Sequence, residues 1–107
     1  MAGKDRLTPM SQHYIDTPQF EVIVGWDRPL QYFFGTVFTK AKKDTDHEVV
    51  FATLELPEGG VQTVEELANV LQSYLRLPDE LLKCLEEDRV NNRGNVVRHW
   101  AVPDVQQ

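Results

Sequence analysis

An α+β fold follows from three observations on this 107-residue chain. The first half alternates apolar and polar residues with the period of a strand. The second half carries two apolar stripes with helical spacing, and a last apolar run returns to strand character. The predicted order is β-β-β-α-α-β, a small single domain with two helices packed on one face of an antiparallel sheet. The length supports one domain, because two would each be too small to bury a core.

The elements are justified in turn. Residues 1–18 read as a flexible N-terminal tail, with Pro9 and Pro18 in short polar stretches and no sustained period. The domain spans 19–103, and 104–107 form a C-terminal tail. From Phe20, Val22, Val24 and Trp26 alternate with Glu21, Ile23, Gly25 and Asp27, which is strand periodicity. Asp27, Arg28, Pro29 and Leu30 make a turn, and Pro29 removes a backbone donor there. A second strand runs from Tyr32 to Lys40, rich in aromatic and β-branched residues. The charged loop 41–47 leads to a third strand from Glu48 to about Leu56, ended by Pro57, Gly59 and Gly60.

Thr63-Val64-Glu65-Glu66 then fits a capping box, in which the Thr63 hydroxyl accepts from the Glu66 amide and the Glu66 carboxylate reaches back to the Thr63 amide. Behind it Val64, Leu67, Ala68, Leu71, Tyr74 and Leu75 lie on one helical face. Pro78 suits the opening of a second helix, whose buried side is Leu81, Leu82 and Leu85. Asn91 to Gly94 stop it, with Gly94 suited to a left-handed cap. Residues 95–102 read as the last strand, with no sheet neighbour assigned, and Pro103 ends it.

Composition bounds the function. The chain has 11 Lys and Arg against 17 Asp and Glu, a formal net charge of -6. Phosphate-mediated nucleic-acid binding needs clustered cations, and the one cluster, Lys40, Lys42 and Lys43, is followed at once by Asp44, Asp46 and Glu48. No apolar run reaches the ~18 residues of a membrane span, and the first residues lack the apolar stretch of a signal peptide. The lone Cys84 makes no internal disulfide, so a cytoplasmic protein is the expected class.

No catalytic signature is present: no G-x-S-x-G, no phosphate-binding loop, no H-E-x-x-H. Asp44, Asp46, His47 and Glu48 lack the glycine and distal Glu of a calcium loop. Carboxylates surround Cys84 in sequence, which works against a reactive thiolate. His99 alternates between Arg98 and Trp100 on a strand and reads as an ordinary strand histidine. The sequence therefore predicts no enzyme, no metal and no cofactor.

Side-chain parity supplies the candidate site. If Trp26 stands opposite Tyr32, then Val22, Val24, Phe34, Phe38, Ala52 and Leu54 form the face that the helices cover. The opposite face then carries Ile23, Phe33, Val37, Val49 and Phe51, too apolar for open water. A slip of one residue exchanges these faces. Ile23, Phe33, Val37 and Phe51 are the expected partner-binding residues; alternatively, the tail 1–18 or the C-terminal end of the same chain folds over this face. Trp26 and Arg28 join them as turn anchors, because interface hot spots favour Trp and Arg; alternatively, Trp26 closes the end of the core.

The expected function is a small acidic protein-interaction module or regulator that binds another protein, or a second copy of itself as a homodimer, through an apolar sheet face. One alternative is an acidic inhibitor or nucleic-acid mimic occupying a basic surface, since residues 58–107 hold nine acidic against five basic side chains. Another is a small-ligand-binding protein with a pocket between helices and sheet.

Overall fold

Alternating burial along the strands sets the architecture. The computed structural model describes residues 10–40, 48–94 and 96–101. Within them run β1 (Ser11–Asp16), β2 (Phe20–Asp27), β3 (Tyr32–Thr39) and β4 (Val49–Ala52), then a 3-10 turn (Thr53–Glu55). The helices α1 (Val64–Leu71) and α2 (Asp79–Val90) follow, and β5 (Val96–Ala101) closes the order. The sheet order is β4-β3-β2-β1-β5. Every pair is antiparallel except β1 with β5, so the sheet is mixed rather than purely antiparallel.

The largest departure from expectation is β1. Residues 1–18 were expected as a tail, yet Ser11–Asp16 lies between β2 and β5 inside the sheet. Its inward positions are Ser11, His13 and Ile15, all buried. Only one of the three is apolar, so the strand period is invisible to a hydropathy reading. Hydrogen bonds make the polar pair tolerable: the Ser11 hydroxyl accepts the Trp26 amide at 3.0 Å, and His13 bonds on both ring nitrogens. The rest of the expected N-terminal tail before Met10, and the expected C-terminal tail 104–107, lie outside the described residues.

The first hairpin explains the second departure. Gln31 adopts φ 55, and its amide donates to the Asp27 carbonyl at 2.7 Å. The turn closes so that Trp26 pairs with Phe33, not with Tyr32. That single step turns β3 over. β4 keeps the register expected of it at Val37 and Phe51, and so turns over with β3, ahead of a bulge at Val37/Phe38. Ile15, Val22, Val24, Trp26, Phe33 and Val37 therefore face inward together with Leu67, Leu71, Leu75, Leu77, Leu81 and Leu85.

The third strand is shorter than expected. The Thr53 hydroxyl, buried, accepts the Gly35 amide at 3.0 Å in place of a ladder carbonyl, and the chain leaves the sheet in the 3-10 turn. It rejoins β3 at Val61, which exchanges two backbone bonds with Phe33. α1 starts as the capping box requires, with the Glu66 amide donating to Thr63 Oγ1 at 3.0 Å. The return arm reaches one residue further back, and Glu66 Oε1 accepts the Gln62 amide at 3.0 Å. Gly35 leaves room on the inner face for Leu67 and Leu71, whose methyl groups stand 3.2–3.3 Å from where its Cβ would be. α2 opens behind Pro78 as expected. Its end uses Asn92 at φ 50 as the left-handed residue instead of Gly94.

Candidate functional site

The turned register relocates most of the residues expected to bind a partner. Phe33 and Val37 are fully buried under the helices, and Phe51 packs against that core, its ring stacked on Tyr74 at 5.8 Å. These three are corrected from surface to core, and the cause is the single pairing step between Trp26 and Phe33. Trp26 is buried as well. Its ring meets Phe33 at 5.0 Å, and its indole N–H donates to Asn92 Oδ1 at 3.0 Å, tying the β2 end to the end of α2. Arg28 stands exposed in the turn, and Ile23 remains on the outer face.

The outer face carries a different set from the one expected. Across its centre, Ala52, Thr36, Ile23, Tyr14 and His99 lie side by side on five adjacent strands. Tyr14 stacks on His99 at 5.3 Å and 20°. Phe34 lies beside Gly25, where a Cβ would come within 2.9 Å of its ring. Phe34, Ile23 and Tyr14 are half-buried, and Val97 is 54% exposed. Both helices bury their apolar sides on the other face. Charge on the outer face lies at the strand ends: Lys40 pairs with Asp16, Glu21 lies beside Phe38, and Asp27 stands opposite Tyr32, accepting the Leu30 amide.

A polar network that sequence reasoning missed lies inside. His13 Nε2 stands 2.9 Å from Asp88 Oδ2, and both side chains are 1% exposed. Trp100 Nε1–H donates to His13 Nδ1 at 3.0 Å, and Arg93 reaches Asp88 Oδ1 at 3.4 Å. Both ring nitrogens are occupied and neither meets solvent, so the histidine joins β1, α2 and β5 and has no free nitrogen for a substrate proton. One signal was available. Leu81, Leu85 and Asp88 recur at helical spacing, so Asp88 falls on the buried stripe and needs a buried partner.

Two adjoining clefts line the helices. One, of about 650 Å³, runs along α1 past Val64, Ala68, Asn69, Gln72 and Leu82; the other, of about 510 Å³, lies between Thr63 and the Glu86–Arg89 pair. Several of their polar groups are already engaged: Thr63 and Glu66 cap α1, Gln72 donates to Asn69, and Arg89 grips Glu86. That grip holds the Glu86 carboxyl below the ordinary carboxylate range, the hydrogen bond from Arg89 being the main cause. Cys84 is half-buried, with Arg98 Nη1 3.6 Å from its sulfur. Among the described residues no three His, Cys, Asp or Glu side chains converge as a metal site, and no helix is long and apolar enough to cross a membrane.

Comparison with protein-family models gives no match, and comparisons with curated proteins and with solved structures give none either. The reading of function therefore rests on this chain alone.

Proposed function

We propose that this chain is a cytoplasmic protein-interaction module that acts by binding another protein through the outer face of its sheet. The observation that supports the reading is the one-sided packing: both helices cover the inner face, while Tyr14, Ile23, Phe34 and Val97 lie on the outer one. Aromatic and branched side chains in adjacent strands supply the apolar centre of an interface, and the charges stand at the strand ends, Asp16, Glu21 and Lys40 at one and Asp27 at the other. A regulator of this kind works by occupying a surface and requires no bond chemistry.

The test uses the whole chain as bait in native lysate, with an Ile23→Glu/Phe34→Glu variant beside it. A protein retained by the wild type and lost by a variant with native circular dichroism supports the face. Equal recovery of that protein by both baits removes the outer face as the site.

A further inference from the structure

One buried ring ties three elements together, and its two nitrogens are committed differently. His13 on β1 is fully buried. Its Nε2 stands 2.9 Å from Asp88 Oδ2 on α2, and its Nδ1 accepts the Trp100 indole N–H of β5 at 3.0 Å. Neutral imidazole meets both demands with hydrogen on Nε2 alone. Imidazolium cannot meet both. It carries hydrogen on each nitrogen, so Nδ1–H would face the indole N–H, donor against donor. The bond to Asp88, by contrast, becomes charge-assisted and stronger. Protonation therefore exchanges the tie to β5 for a firmer tie between β1 and α2.

β5 is otherwise lightly held. It is an edge strand, paired in parallel with β1, and no side chain of Val96–Ala101 is fully buried. Trp100 is half-buried and packs against the core from this edge, so water lies close to Nδ1 once the indole moves. Among the described residues, the charged and titratable groups on the elements around the ring are these. α2 contributes Asp88 and, one turn earlier, Cys84; Arg93, just past its end, lies 3.4 Å from Asp88 Oδ1. β5 contributes Arg98, the strand neighbour of His13, whose Nη1 is 3.6 Å from Cys84 Sγ. β2 sets the uncharged Val24 opposite the histidine. A cation on His13 is thus drawn toward Asp88 on α2 and repelled by Arg98 on β5.

We propose that His13 is an acid-operated latch on β5. A proton taken up from water at Nδ1 displaces the Trp100 indole, which keeps its own hydrogen and turns to solvent. β5 then loosens from β1, while the other strands and both helices stay folded. Val97 and His99 leave the outer face with it, since both stand on β5. The latch works in the chain alone, without a partner, so its absence would leave the outer face available as proposed.

The other histidines of the chain are His47 and His99, so a His47→Gln/His99→Gln variant leaves His13 as its one imidazole. Nitrogen NMR of this isotope-labelled variant is followed from about pH 8 to about pH 5. A Trp100→Phe spectrum identifies the Trp100 indole signal. The expected result begins with hydrogen on Nε2 alone at the upper end. On acidification Nδ1 gains its hydrogen, and with the same midpoint the Trp100 indole N–H shifts to the position of a water-bonded indole. The Val97–Ala101 amides lose exchange protection, while those of β2, the Trp26 indole signal and the far-ultraviolet circular dichroism stay native. Hydrogen on Nδ1 at the upper end overturns the proposal. So does a Trp100 signal that stays fixed while the ring titrates, or a ring that stays neutral until the whole chain unfolds. If the double variant fails to fold, the wild type is read in the same way, with His13 identified by the coupling of its Nδ1 to the Trp100 indole hydrogen.

Discussion

The indole N–H of Trp100 donates to His13 Nδ1 at 3.0 Å, and this bond decides which nitrogen of a buried histidine carries hydrogen. With Nδ1 accepting, Nε2 bears the hydrogen and donates it to Asp88 Oδ2 at 2.9 Å. β5, the parallel strand, is thereby joined through one ring to the far end of α2. His13→Ala leaves the Asp88 carboxylate buried, with only Arg93 at its edge. Losses from breaking such buried pairs are about 3–5 kcal/mol. Trp100→Phe removes one donor from the ring, a loss of about 1–3 kcal/mol. Urea unfolding of the two variants should therefore rank His13→Ala well below Trp100→Phe. The reverse order would mean that Asp88 finds another partner.

The register of the first hairpin is testable by charge. Phe33 is fully buried and paired with Trp26, whereas Ile23 stands on the outer face between Tyr14 and Thr36. Phe33→Glu puts an unpaired carboxylate under the helices and should leave the chain unfolded. Ile23→Glu should keep a native circular dichroism spectrum with a modest loss of stability. Two equally folded variants, or two equally unfolded ones, would sink the assignment of faces.

These residues also show what the sequence carried and what it did not. The class of the fold, the first-turn cap at Thr63 and the opening of α2 at Pro78 were legible, because each depends on local chemistry. Faces were not, because alternation gives the period of a strand but not its phase against a neighbour. The phase was set by Gln31 entering the left-handed region, a conformation that a glutamine does not announce. β1 was hidden for a different reason. Its inward residues Ser11 and His13 earn their burial from partners on β2, α2 and β5 that are remote in sequence. Of the residues expected at an interface, Ile23 stays on the outer face and Arg28 is exposed in its turn, while Phe33, Val37, Phe51 and Trp26 belong to the core.

The Glu86–Arg89 pair on α2 predicts a pH dependence of definite sign. The hydrogen bond from Arg89 lowers the folded-state pKa of Glu86. The unfolded chain therefore takes up the proton first as pH falls. The pair's stabilisation is present in full above the ordinary glutamate range and is lost as pH drops through the depressed folded value. Both side chains are 43% exposed, so the effect is small and salt-sensitive. The stability difference between wild type and Glu86→Gln should favour wild type at neutral pH in low salt. It should shrink in acid and in high salt. A difference that grows on acidification would contradict the assignment.

Three glycines separate close approach from open room. At Gly35 a Cβ would lie 3.2–3.3 Å from the flexible ends of Leu67, Leu71 and Val24, which can shift. At Gly60 the Cβ would fall 2.5–2.7 Å from the ring of Tyr32, where the edge rejoins β3 through Val61. At Gly25 it would fall 1.8 Å from the Ser11 carbonyl oxygen, a backbone atom that has no rotamer to yield. Overpacking against a side chain costs about 1–3 kcal/mol, and a clash with backbone costs more. Gly35→Ala should therefore change the midpoint of thermal unfolding least and Gly60→Ala more. Gly25→Ala should prevent β1 from docking on β2, which would also break the His13 network. The readout for that last step is the near-ultraviolet circular dichroism of Trp100, whose indole is oriented by His13. A native Trp100 signal in a folded Gly25→Ala variant would show that β1 does not approach β2 as closely as the 1.8 Å figure requires.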